Sequence, residues 1–176
     1  LEFDGVTDCL VGVADINTSY GITDDITVAC WVKFNAIGVV QRPWNIYQNT
    51  DDGFGLALTS AGVLHVSEDI DQGDAQLYST KINIDTWYRV VVAVESLEIK
   101  LYINNVLVGS GTSVTGDGFD SFASKLYIGR RGHTSEVEYF NGCMADFQMW
   151  DTAWSADEVA YDYVNPEALA LNASGT

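Results

Sequence analysis

Carboxylates dominate the side chains able to do chemistry, since 25 of the 176 residues are Asp or Glu. Glycoside hydrolysis needs two carboxyl groups flanking one bond, which on a strand means acids at alternate positions facing one side. No E-x-D-x-x-E run occurs, and the nearest pair, Glu136 and Glu138, falls in the loop before the last strand, where a solvated edge is the expected role. His65 sits in the alternating run from Gly62 to Val66 and reads as a surface or half-buried residue, while His133 lies in a loop. With only these two histidines, distant in sequence, and no serine in a nucleophile elbow, a catalytic triad has no support. No glycine-rich loop leads from a strand into a helix, so no nucleotide cradle is expected. Cys9, Cys30 and Cys143 lack zinc-site spacing; each lies in a strand-like stretch, as buried thiols do, and their odd number leaves at least one thiol free or intermolecular. The residues point away from an enzyme.

Binding chemistry is better represented. A sugar site needs an aromatic ring to stack on the apolar face of a pyranose, with polar groups beside it to fix orientation. Trp44 fits that description best: it follows Pro43 in the polar run Gln41-Arg42-Pro43-Trp44-Asn45, with Tyr47 close behind. The expected site is a rim formed by the loops 41–52 and 69–74. Trp44 would stack, Arg42 and Asn45 would donate, and Asp71 would accept or contact a cation. The competing expectation is that Trp44 covers the core beneath a loop. Arg130, Arg131 and His133 form a basic patch suited to an acidic sugar or a partner carboxylate, whereas Asp69, Asp71 and Asp74 are acids without EF-hand spacing, in what reads as a solvated loop.

Charge narrows the partners. Eight basic residues against 25 acidic ones give a net charge of −17, which repels nucleic-acid phosphate and anionic membrane surfaces and favours solubility and cation binding. No apolar run approaches the roughly 18 residues needed to span a bilayer, so no membrane insertion is expected. The chain begins at Leu1 and no signal segment is visible, the pattern of a processed product or an excised domain. With 47% hydrophobic residues the chain has material for one sizeable core, and no repeat or linker divides it. Residues 1–176 are expected to form one domain, with 164–176 as a C-terminal tail.

The elements that position these residues are short β-like runs separated by Gly, Asn, Asp and Ser. Ile26 to Phe34 (ITVACWVKF) and Trp87 to Val94 (WYRVVVAV) are the strongest, and Trp31 and Trp87 within them are the expected core anchors. Asn17 to Gly21 reads as a loop, Val39 to Tyr47 as a run interrupted by Pro43, and Asn104-Asn105 as a two-residue hairpin turn. The one convincing helix is Ser155 to Tyr163, N-capped by Ser155 with Glu158 completing a capping box, and Pro166 bars its continuation. Roughly ten or more strands with one terminal helix predict an antiparallel two-sheet β-sandwich.

Seven fragments, in order, resemble the laminin-G-like and pentraxin-like domains of the concanavalin A-like superfamily. Phe3-Asp4-Gly5 with Asp8 looks like the family's opening strand, and Ile26 to Lys33 is similar to its tryptophan-centred second pattern. Trp87 to Val92 resembles "W-x-H-V-A", with Arg89 in place of the usual histidine. Lys100 to Asn105 looks like "K-L-Y-V-N-G", with Asn105 replacing the glycine. Leu126 to Gly129, Phe140 to Phe147 and Trp154 to Val159 resemble "L-x-I-G", "F-x-G-x-I-D-E-V" and the closing "L-S-x-x-E-I" helix. The resemblance implies an all-β jelly roll whose first and last strands pair, leaving one disulfide open to the cysteines. It implies a structural calcium near those strands, with Asp4 and Asp146 as its carboxylates. Gly142 would allow a close backbone approach at a bend.

Two function classes follow. One is a non-catalytic carbohydrate-binding or adhesion module, stabilised by calcium. The other is a structural surface domain of a larger assembly, such as a virion decoration or fibre or an appendage protein. A glycoside hydrolase, also known in that superfamily, ranks behind both for want of a carboxylate pair. Either leading class places the chain outside the cell or on a cell or virion surface, with a glycan or a surface protein as partner.

Overall fold

The period-two patterns become two antiparallel six-stranded sheets packed face to face in a computed structural model, which describes residues 1–20, 25–47, 53–69, 75–112, 125–133 and 138–166. The first sheet runs in the order β1 (Glu2–Asp4), β12 (Asn141–Trp150), β3 (Ile26–Phe34), β8 (Trp87–Glu95), β9 (Glu98–Ile103), β10 (Val106–Thr112). The second runs β2 (Leu10–Val11), β11 (Lys125–Ile128), β4 (Gln41–Tyr47), β5 (Gly53–Leu58), β6 (Val63–Asp69), β7 (Ala75–Lys81). The architecture is the jelly-roll β-sandwich expected from the sequence, with the first and last strands paired, Phe3 opposite Gly142.

Strand parity decides which side chains make the core. In β3, Ile26, Val28, Cys30, Val32 and Phe34 point inward, and in β8 Val90, Val92 and Val94 meet them. The same parity puts Trp31 and Trp87 on the outer face of the first sheet, so the expectation that they anchor the core is wrong. Trp31 is half-buried and stacks on Tyr163 (centroids 5.9 Å apart), while Trp87 is 41% exposed. The fully buried tryptophan is Trp44, in β4, against Phe54 of β5. Pro43 does not interrupt that strand. It falls where the β4–β5 register shifts between Gln41 and Trp44, and such a bulge tolerates a residue without an N–H.

Local chemistry explains the turns. Asn104 and Asn105 adopt φ of 49° and 67°, the paired left-handed conformation of a type I′ hairpin. Residues 17–20, expected as loop, belong to a short helix α1 (Ile16–Tyr20), whose Thr18 N–H donates to the Asp15 carboxylate. A Cβ at Gly142 would run into the Lys33 carbonyl and the Phe140 ring, so the close approach there is real. Cys30 is buried, and burial pushes its thiol up to about 12; Cys9 and Cys143 are only half-buried, and all three thiols are free, so no disulfide forms.

Helix α2 (Ala156–Val164) covers part of the first sheet's outer face. Ser155 and Glu158 form the capping box. Trp154 and Val159 pack on Ala29, Val91 and Tyr102. Beneath the helix, Arg89 donates twice to the Asp162 carboxylate (2.6 and 2.7 Å), and both side chains are essentially without solvent contact. The remaining Arg89 nitrogen reaches the Asp146 carbonyl and carboxylate, each at 3.0 Å.

Candidate functional site

The outer face of the second sheet collects the polar groups that the sequence placed on loops. In β4, Trp44 and Ile46 fill the core, so Asn45 and Tyr47 face outward. Opposite them on β11 stand Tyr127 (beside Asn45) and Lys125 (beside Tyr47). On β5 the outward positions are Gly53 and Gly55, and a Cβ there would strike the Tyr47 ring at 2.7 Å and Asn45 Nδ2 at 2.9 Å. These bare positions let Tyr47 and Asn45 lie across the neighbouring strand.

The segment 129–133 folds back over this surface. Gly129, at φ 90°, ends β11, and its N–H donates to the Pro43 carbonyl (2.8 Å). The Gly132 N–H donates to Asn45 Oδ1 (3.1 Å), while Asn45 Nδ2 donates to the Phe54 carbonyl (3.1 Å). A Cβ on Gly132 would sit 2.5 Å from the Tyr47 Cβ, so only glycine permits this crossing. His133 meets the Tyr47 ring edge-on, with centroids 6.1 Å apart. The Arg130 guanidinium carbon lies 5.4 Å from the Tyr127 ring centroid, a cation–π contact. Arg130 Nε is buried and has no hydrogen-bond partner among the described residues.

Electrostatically the region departs from the rest of the chain. Arg42, Lys125, Arg130 and Arg131, half of the eight basic residues, lie on β4, β11 or the 129–133 segment. Arg42 donates to Glu138 at 2.5 Å. His65, on β6, is pulled down to about 4, first by burial and then by the positive charge of Arg42, so its imidazole is neutral at physiological pH.

Several expected site residues move. Trp44 cannot stack on a sugar, because it has no exposed surface. Its parity on β4 sends it inward, and the expected rim at 41–47 is an interior strand of the sheet. Arg42 is buried in its ion pair rather than presented at a rim. Asn45 and Tyr47 do share the outer face, though both are buried beneath 129–133. Asp71, Asp74 and Glu136 lie outside the described residues. Tyr127 and the three glycines were missed; the signal for them was the register of Lys125 to Ile128 against β4, which a single sequence does not carry.

The calcium expectation fails a fit test at its named ligands. Asp4 Oδ1 accepts from the N–H groups of Val6, Thr7 and Asp8, and Oδ2 from the Thr7 hydroxyl. Those backbone donors hold its carboxyl well below the usual carboxylate range. Asp146 sits on the β12 bulge at φ 48°, engaged by Arg89 and Gln148. Asp4 pairs in register with Asn141, which places Asp146 about 16 Å away along the strand at roughly 3.3 Å per residue. The two carboxylates do not share an ion. Among the described residues no group of three or more His, Cys, Asp or Glu is gathered for a metal.

Comparison with known proteins places the fold. The family model for laminin-G-type domains of the "Concanavalin A-like lectin/glucanases superfamily" matches residues 11–160. The CBM40 of the Ruminococcus gnavus IT-sialidase, solved with α2,3-sialyllactose, is similar at 17% identity and a TM-score of 0.72, over 92% of this chain and 97% of that one. The SAP-like pentraxin of Limulus polyphemus is similar at 16% identity and a TM-score of 0.67, over 92% and 80%. The binding domain of Botulinum Neurotoxin DC, solved with SialylT, matches at 11% identity and a TM-score of 0.69, over 93% and 42%. At these identities the likeness is one of fold. Among curated proteins, no relative matches.

Proposed function

The chain belongs to the concanavalin A-like lectin/glucanase superfamily, and from that premise we propose that it is a non-catalytic glycan-binding module that takes carboxylated sugars on the outer face of its second sheet. The observation that carries the reading is Arg130. Its guanidinium is held against Tyr127 by stacking, and its buried Nε has no hydrogen-bond partner among the described residues. A planar cation fixed on an aromatic ring is prepared for a carboxylate, and the ring beside it supplies an apolar surface for a pyranose. Asn45 and Gly132 hold the 129–133 segment in place, so the arrangement exists before ligand arrives. Two of the similar structures were solved with sialylated ligands, which supports an acidic sugar as the ligand class. The Glu138 carboxylate beside this region is bound by Arg42, which suits a binding role rather than acid–base work. A module of this kind acts outside the cell.

Calorimetric titration with 3′-sialyllactose and with lactose tests the reading. Binding of the first and not the second, reduced at least tenfold by Arg130→Ala at unchanged melting temperature and also by Tyr127→Ala, is the expected result. Equal affinity of the Arg130→Ala protein and its parent would refute the site.

A specific observation also favours the structural reading. Leu1, Val6, Leu10, Val11 and Val13 are all 45% exposed or more along the edges made by β1 and β2. Exposed apolar residues along sheet edges suit contact with a neighbouring domain in an assembly. Analytical ultracentrifugation of the chain, with and without Val11→Lys and Leu10→Lys, reports whether this edge associates.

A further inference from the structure

Trp87 and Lys33 form a second, independent aromatic and cationic unit on the opposite side of the sandwich. The two residues are register partners on β8 and β3, and Lys33 Nζ lies 5.9 Å from the Trp87 ring centroid. Lys33 has no carboxylate within ion-pair distance among the described residues, in a chain with 25 acids. Trp87 keeps 41% of its surface exposed, although an indole is among the most favourable side chains to bury.

The mounting is rigid. Asp85, at φ 57°, turns the chain into β8, and its N–H donates to the Phe34 carbonyl at the end of β3 (2.8 Å). The Asn83 N–H donates to the Tyr88 hydroxyl (2.8 Å). One register step inward, Trp31 sits opposite Arg89 and diagonal to Trp87, and Trp31 stacks in turn on Tyr163 of α2. Aromatic residues therefore line this face from the helix to the sheet end, and the Lys33 ammonium, without a carboxylate at ion-pair distance among the described residues, lies over the exposed one.

We propose that the Trp87–Lys33 unit is a second saccharide-binding site, taking the apolar face of a pyranose on the indole and its carboxylate on Lys33. A ring fixed on a sheet loses little entropy when a sugar stacks on it, and an ammonium without a carboxylate partner selects an anionic ligand over a neutral one. The inference rests on the reading of the chain as a glycan-binding module. It adds that the module is bivalent, with sites on the two outer faces, so that it bridges sugar chains rather than capping one.

Titration with methyl galactosiduronic acid, which carries one carboxylate, and with its methyl ester tests the second site, alongside 3′-sialyllactose for the first. The acid is expected to bind, at least tenfold more weakly after Trp87→Ala, with Arg130→Ala retaining a Trp87-dependent site. Lys33→Met should weaken the acid and leave the ester unchanged. Trp87 buries more than half of its surface, so the melting temperature is read on the same samples, and Trp87→Tyr, which keeps a stacking ring, should retain most of the affinity that Trp87→Ala loses. No binding of the acid by the parent, or the same affinity in parent and Trp87→Ala, overturns the proposal. If 3′-sialyllactose still binds through Arg130 in that case, only the second site falls. If the acid binds through Trp87 and 3′-sialyllactose does not bind, the first site falls alone.

Discussion

Asp162→Ala should be the most damaging single change outside the hydrophobic core. Asp162 is fully buried in the last turns of α2, where the helix dipole disfavours a carboxylate, and it is retained because Arg89 meets both of its oxygens at 2.6 and 2.7 Å. Removing the carboxylate leaves Arg89, 1% exposed, with only the half-exposed Asp146 and one backbone carbonyl as partners. Breaking a buried pair from one side costs about 3–5 kcal/mol. That is a large share of the roughly 5–15 kcal/mol of a whole domain, and at about 2–4 °C per kcal/mol for this size it lowers the melting temperature by roughly 6–20 °C. Urea unfolding followed by tryptophan fluorescence measures the change. The double variant Arg89→Met with Asp162→Leu should recover most of the loss, because an apolar pair of similar volume needs no desolvation of charge. A single variant within about 1 kcal/mol of the parent, or a double variant no better than the single, would show that α2 is not held by this pair.

Trp44→Ala should cost about 3–5 kcal/mol in urea unfolding and Trp87→Ala, at a partly exposed position, clearly less, about 1–2, opposite to what their sequence neighbourhoods suggest; comparable losses would contradict the assigned parity. His65 titrates near 4 when folded against an ordinary 6.5, so the unfolded chain takes up the proton first. Stability is therefore full above about pH 6.5, falls by on the order of 3 kcal/mol as the pH drops toward 4, and levels below that. His65→Gln should flatten that window in urea midpoints measured from pH 7 to 4, and an unchanged slope would remove His65 as its source. Asp4→Asn and Asp146→Asn should leave the response of the melting temperature to calcium and chelator equal to that of the parent, whereas a response abolished by either would restore that residue as a ligand.

Much of the fold was legible because strand periodicity and turn chemistry are local. The ITVACWVKF and WYRVVVAV runs, the Asn104-Asn105 turn and the Ser155 capping box each carry their structure within a few residues. Parity was present too but was misjudged. Counting alternate positions from Val90, Val92 and Val94 already excludes Trp87 from the core, and counting from Ile46 places Trp44 inside it. The site was less legible, because its parts meet only through pairing. Tyr127 comes beside Asn45 by the register of β11 on β4, and Gly132 is required only because Tyr47 lies beneath it. The basic run at 130–133 was visible as charge, but nothing in its own sequence says which sheet face it crosses. Asp4 and Asp146 show the reverse error: a shared neighbourhood inferred from paired strands, undone by five residues of register and by donors that already occupy both carboxylates.

The position of β3 in the first sheet has a consequence for how the chain is made. β3 lies between β8 and β12, so one of its two edges is completed only by residues 141–150. During synthesis, β3 and β8 emerge early and can pair, yet the nine-residue edge of β3, rich in β-branched residues, stays bare until β12 leaves the ribosome. Translation at about 5–20 residues per second makes that interval several seconds long. Nascent chains on one message are therefore exposed to pairing with each other through β3, and slow synthesis of the segment between β8 and β12 should lower the yield of folded protein more than slow synthesis ahead of β3.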